Sequence, residues 1–201
     1  MDDLRLAALL SSRLCHDLVG PASAVVNGLE LLEGEATLDR EAMAMIASSA
    51  GQVANRLQFF RGAFGVASGL TFVEARRVAS LYFEGGKIVL DWPEGDAAPP
   101  FPAGAAKVLL NMLLLAADLL GRGGTLRVAM PRGPRPRLQV SVTGDLTRTE
   151  DLRLVAIAAL APDTTPRAAQ PVFLRRLVEA SGGSLSAALT GPDSAEIETA
   201  Y

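Results

Sequence analysis

With 201 residues, 49% hydrophobic and 20% charged, the chain can hold one large domain or two small ones, and its composition is that of a globular protein that buries a core. A net charge of −3 and a pI near 5.3 argue against nucleic acid as a partner, because phosphate neutralisation needs clustered Lys and Arg. A single cysteine precludes an internal disulfide and fits a reducing cytoplasm; no basic-then-apolar leader opens the sequence, and the most apolar run, 108–120, is interrupted by Asn111 and Asp118, so no membrane span is expected.

Residues 4–32 read as one long amphipathic helix with two stripes at the helical period. Leu4, Ala8, Ser11, Cys15, Leu18, Ala22, Val25, Leu29 and Leu32 form a packing seam at near-heptad spacing, on which Cys15 is expected to serve as a small core residue. Roughly 100° around the helix lie Arg5, Leu9, Ser12, His16, Gly20, Ser23 and Asn27. His16 is the only histidine, so any histidine chemistry must be its own. Ser12, Gly20 and Ser23 leave room for another molecule to approach its ring. An imidazole titrating near about 6.5 is largely neutral near pH 7, with one nitrogen free as a nucleophile. The stripe alone fits a functionless surface histidine equally well.

The first helix should end near Glu33, Gly34 and Glu35, and a second should start after Thr37 or Asp39, either of which can cap it. The second arm carries Ile46, Ala50, Val53, Leu57, Phe60 and Phe64 at matching spacing and runs out at Gly62, Gly65 and Gly69. A lone hairpin leaves much apolar surface wet, which predicts a homodimer completing a four-helix bundle; coverage by the rest of the chain is the intrachain alternative.

Beyond Gly69 the expected order is a helix at 73–83, a strand at 87–91, a proline-rich loop at 93–102 and a strongly apolar helix at 103–120. Strands at 125–130 and 137–143 follow, then helices at 150–160 and 171–181, then strands at 184–189 and 195–199. The fold class is α+β: a hairpin domain over 1–68 and a second domain over 69–201 with a mixed sheet and helices on one face.

His16-Asp17-Leu18-Val19-Gly20-Pro21 resembles the H-box of bacterial sensor histidine kinases, in which the phosphorylated histidine is followed by an acidic residue and, five positions on, by proline. Asn27-Gly28-Leu29-Glu30-Leu31-Leu32 continues the similarity, and Pro21, lacking an N–H, should bend the helix one turn past the histidine. The run 108–116 followed by Gly123-Gly124-Thr125-Leu126 is similar to the N-box of the kinase ATP-binding domain, but its second, magnesium-ligating asparagine falls at Leu115, which offers a hard cation no oxygen. Thr143 stands where the adenine-reading aspartate belongs. The phosphate-cradling glycines are replaced by Ala168 and Gln170 beside Pro166 and Pro171, and the lid shrinks to a helix and a loop at 161–169. A kinase scaffold that keeps the histidine and loses the ATP contacts resembles the ChpT-type histidine phosphotransferases of alphaproteobacterial phosphorelays. The second domain thus resembles a degenerate histidine-kinase ATPase domain.

That resemblance implies phosphoryl relay between receiver-domain aspartates through His16, without ATP. Asp17 would hold or polarise the ring or a nearby cation, or simply be a solvated acid, and Arg13 would meet the phosphoryl oxygens or simply pair with Asp17 at i,i+4. Leu9, Ser12, Gly20, Ser23 and Asn27 would form the receiver's landing surface. No cofactor or metal is expected on this chain, the receiver bringing Mg2+, and the implied partners are a CckA-like hybrid kinase's receiver and CtrA-like response regulators. Gly20, where phosphatase-competent kinases carry an amide or hydroxyl, implies a persistent phosphohistidine. The competing readings are a non-catalytic dimeric adaptor and a diverged ATP-dependent kinase.

Overall fold

The computed structural model describes residues 2–33, 40–66, 69–94, 100–154 and 164–201. The expected caps Thr37 and Asp39, the boundary at 68/69, the expected helix beyond 154 and the start of the shortened lid lie outside the described residues. Helix α1 spans Asp2–Glu33 and α2 spans Arg40–Phe64, the expected hairpin. The arms approach so closely at Gly28 that a Cβ there would lie 2.5 Å from Ile46 Cγ1. Pro21 sits within α1 and leaves the Asp17 carbonyl without its usual i+4 donor. Arg56 of α2 supplies the missing hydrogen bond, donating from Nη1 to that carbonyl.

Helix α3 (Phe72–Phe83) starts at a capping box in which Thr71 and Glu74 satisfy each other's backbone N–H. Strand β1 (Ile88–Asp91), helix α4 (Ala105–Leu119) and strand β2 (Gly124–Ala129) form a parallel crossover unit. Strand β3 (Arg137–Gly144), the short α5 (Asp151–Leu154), α6 (Ala169–Ala180), β4 (Ser184–Gly191) and β5 (Ser194–Ala200) complete the chain. The five strands lie in the order β1-β2-β3-β5-β4, with every pair after the first antiparallel. Alternation sets the faces: Leu126, Val128, Leu138, Val140, Val142, Ala195 and Ile197 point into the core, while Thr125, Arg127 and Thr143 face solvent. The helices cover one face of the sheet, as the sequence predicts.

Helix α4 is apolar nearly all round because it is buried nearly all round, from Val108 to Ala116. Phe59, Phe60 and Ala63 of α2 belong to the same hydrophobic core as α4, α3 and the sheet. Phe59 also stacks on Tyr82 of α3 at 4.3 Å between ring centroids. The start of α1 packs Leu6 and Leu10 against Ala169 of α6, and Arg176 pairs with Asp2 at 3.1 Å. The base of the hairpin is thus covered by its own chain, which is the intrachain alternative realised over part of its length.

The near-heptad seam differs from expectation. Leu4 is 79% exposed, and Ala8, Ser11, Cys15, Ala22 and Leu29 are also exposed; only Leu18, Val25 and Leu32 are half-buried. Buried instead are Leu6, Leu10, Arg13 and Gly28, on an adjacent stripe that faces α2 and α6. Cys15 is therefore an exposed thiol and not a core residue. No described helix is long and apolar enough to cross a membrane.

Candidate active site around His16

The His16 side chain is 74% exposed, on the face of α1 turned away from both α2 and the seam. Its stripe neighbours Ser12, Gly20, Ser23 and Asn27 are exposed as well, and Leu9 is half-buried. Nothing lies within 4 Å of the point a Cβ on Gly20 would occupy. The structure thus brings all five expected landing residues onto one strip with the imidazole at its centre, about 27 Å long from residue 9 to residue 27 at the helical rise.

Asp17 turns inward from that strip. Its Oδ1 is 3.3 Å from His16 Nδ1, and its Oδ2 is 3.7 Å from Arg13 Nε. A neutral imidazole placed this way donates Nδ1–H to the carboxylate, which leaves the lone pair on the outward Nε2. The carboxylate oxygens face two groups at once, and the backbone carbonyl of the same residue is held by Arg56.

Arg13 does not stand where it could meet phosphoryl oxygens. It is 4% exposed, and its terminal nitrogens pair with Asp118 of α4, Nη1 at 2.7 Å from Oδ2 and Nη2 at 3.1 Å from Oδ1. The i,i+4 pair with Asp17 is present but is the longer of its two ion pairs. Burial pushes the Asp118 carboxyl above the ordinary carboxylate range, opposed by the Arg13 guanidinium beside it. Burial, reinforced by Asp17, pushes the Tyr82 phenol up to about 12. Arg13, Asp17, Arg56, Tyr82 and Asp118 thus form a polar cluster beneath the histidine, drawn from four helices.

Sequence reasoning missed Asp118, Arg56 and Tyr82. A signal existed for the first: one acid in an otherwise apolar helix calls for a buried cation. Pro21 carried the signal for Arg56, since a proline inside a helix orphans a carbonyl that something must satisfy.

The region resembling a nucleotide site is filled. Asn111, Leu115 and Gln170 have no exposed surface, and Val172 of α6 is also buried. The Asn111 amide donates to the Ala63 carbonyl at 2.8 Å and to the Lys107 carbonyl at 2.9 Å, while Gln170 Nε2 donates to Asn111 Oδ1 at 2.7 Å. Asn111, the residue in the run that resembles an N-box, is a bolt between α2, α4 and α6. Thr143 does not join this group: it is exposed on the solvent face of β3, in register with the likewise exposed Thr125.

The family described as histidine phosphotransferase C-terminal domain matches residues 72–193. The chain is 39% identical over 197 residues to protein phosphotransferase ChpT of Brucella abortus (strain 2308), covering 94% of this chain and 93% of that protein. A solved bacterial phosphotransferase superposes with a TM-score of 0.83 at 35% identity, over 99% of this chain and 97% of the other. The Acinetobacter baumannii histidine kinase AdeS, at 15% identity, shares the fold with a TM-score of 0.50 over 92% of this chain and 96% of the other.

Proposed function

Because the chain belongs to the histidine phosphotransferase family, we infer that it relays a phosphoryl group between receiver-domain aspartates through His16. Nε2 attacks the phosphorus of an aspartyl phosphate on an incoming receiver; the N–P bond forms as the P–O bond to the leaving carboxylate breaks. The second half-reaction reverses this toward the aspartate of another receiver. Phosphoryl transfer is mainly positioning and charge stabilisation, and the receiver supplies its own Mg2+ and carboxylate. This chain then contributes one aimed and uncrowded imidazole. The observation that carries the reading is a 74% exposed ring whose Nδ1 is engaged by Asp17, leaving Nε2 outward.

The receiver docks on Leu9, Ser12, Gly20, Ser23 and Asn27, with Asp17 orienting the ring. Arg13 is a support for Asp17 and not a phosphate ligand, since both of its terminal nitrogens lie against Asp118. Gly20 offers no side chain to orient a hydrolytic water, so the phosphohistidine is long-lived. The exposed seam residues Leu4, Ala22 and Leu29 favour a homodimer whose hairpins complete a four-helix bundle. The relay operates in the cytoplasm, with a CckA-like hybrid kinase's receiver upstream and CtrA-like response regulators downstream. ATP is not the phosphodonor, a reading supported by Leu115 and by the buried Asn111–Gln170 bond.

The test supplies two donors in parallel. Incubation with a phosphorylated receiver is expected to leave acid-labile, base-stable phosphate on the chain; incubation with labelled magnesium-ATP alone is expected to leave none. Label from ATP would identify a diverged kinase, and no label from either donor would identify a non-catalytic adaptor.

A further inference from the structure

We propose that Asp118, on α4 and outside the hairpin, is a positioning residue for His16: by occupying both terminal nitrogens of Arg13 it leaves Asp17 free to hold the imidazole in its reactive tautomer. The proposal rests on the reading of His16 as phosphoacceptor.

A buried guanidinium must place its five N–H donors inside the protein. Arg13 has two carboxylates in reach, and the geometry divides them unequally. Asp118 accepts a hydrogen bond from Nη2 at 3.1 Å and holds Nη1 as an ion pair at 2.7 Å, whereas Asp17 meets only Nε, at 3.7 Å through Oδ2 and beyond hydrogen-bond distance. Asp17 Oδ1 is consequently turned toward His16 Nδ1 at 3.3 Å. Arg56 of α2 grips the Asp17 carbonyl and does not compete for its carboxylate in that bond. Tyr82 of α3 and Arg167 before α6 complete the titratable and charged groups bearing on Asp118.

Remove the Asp118 carboxylate and Asp17 becomes the one nearby anion for a buried cation. A fork-to-fork pair with Arg13 is stronger than a hydrogen bond from a neutral, solvated imidazole. Asp17 then rotates inward and the ring is left to water, where a free imidazole favours the proton on Nε2, the nitrogen that must attack. The second domain thereby sets the reactivity of a histidine that it does not touch. This also explains the one acid of a helix that is mostly apolar.

Because His16 is the only histidine, a histidine-15N-labelled sample reports its two ring nitrogens without overlap. The full-length wild type is expected to populate the Nδ1–H tautomer. Asp118→Asn is expected to move the population toward Nε2–H and to slow acceptance from a phosphorylated receiver about tenfold, the scale of lost outer-shell support. Arg13→Met removes the competitor for Asp17 and is expected to retain Nδ1–H. A merely structural ion pair predicts that both variants lose stability while the tautomer stays unchanged. That result, or the same tautomer shift in both variants, overturns the proposal. Should Asp118→Asn not fold, the paired replacement Arg13→Met with Asp118→Leu removes both charges, and an Nε2–H ring in that protein overturns the proposal equally. A wild type that accepts no phosphate would refute the relay itself, while the tautomer comparison would still decide the role of Asp118.

Discussion

Around His16 the outer neighbours are small and water reaches the ring; around Asn111 the neighbours are large or hydrogen-bonded and no water reaches the amide. Both regions belong to one kinase-like scaffold, and the difference lies in side-chain volume and not in backbone plan. Gly20 and Ser23 hold space open on a helix that is packed along an adjacent stripe, through Leu6, Leu10, Arg13 and Gly28. Leu115 and Gln170 take space away, and Asn111, the polar residue that remains, spends its amide on Ala63 and Lys107. A reactive group is kept accessible by what is omitted beside it, and the region around Asn111 is closed by being packed into the core. The Asn111 bond network has a structural task, since it ties the hairpin to the α/β unit beneath it.

That contrast can be attacked first at the junction. Phe59→Ala empties a fully buried ring position shared by the hairpin and the sheet unit, and should cost about 3–5 kcal/mol in denaturant unfolding. A loss under about 1 kcal/mol would mean that the two regions are energetically separate. Gly20→Trp tests the open side: with nothing beyond its chain neighbours and the local helix backbone within 4 Å of its Cβ, the variant should fold normally, yet lose phosphoryl acceptance about 100-fold, equivalent to about 2.7 kcal/mol. Unchanged transfer would mean that the receiver approaches from elsewhere. Asn111→Ala tests the closed side, removing the donors to Ala63 and Lys107 for a cost of about 2 kcal/mol in stability while transfer per folded molecule is retained. A large loss of transfer in stable protein would return a functional role to that pocket.

The smallest effect concerns Tyr82, whose phenol is pushed up to about 12 from an ordinary 10.0, chiefly by burial. The folded state therefore keeps a proton that the unfolded state has released. The contribution is complete below pH about 10 and is lost as pH rises toward about 12. Stability measured across that range should fall in the wild type, and Tyr82→Phe should remove this part of the decline.

The elements were legible in the sequence because their signals are local. Strands expected at 125–130 and 137–143 are observed at Gly124–Ala129 and Arg137–Gly144, marked by alternation and by the prolines between them. The helix expected at 73–83 starts at Phe72, set by the Thr71 and Glu74 capping box. Helical spacing groups His16 with its strip, while its role came from the resemblance of 16–21 to an H-box. The covered face of α1 was not legible: several stripes on this helix carry apolar residues, and which of them meets α2 depends on a tertiary choice that periodicity does not encode. Thus Leu6 and Leu10 are buried while Leu4 and Cys15 are not. The polar cluster was out of reach for a related reason, since Arg13 and Asp118 are 105 positions apart. Asp118, set in an apolar run, signals a buried cation, but nothing local names Arg13 as that cation.

The most direct test of the account is the phosphorylation of His16→Gln beside the wild type, using one phosphorylated receiver as donor and reading base-stable phosphate on the chain. The relay predicts labelled wild type and an unlabelled, fully folded variant. Equal label on both proteins would contradict it.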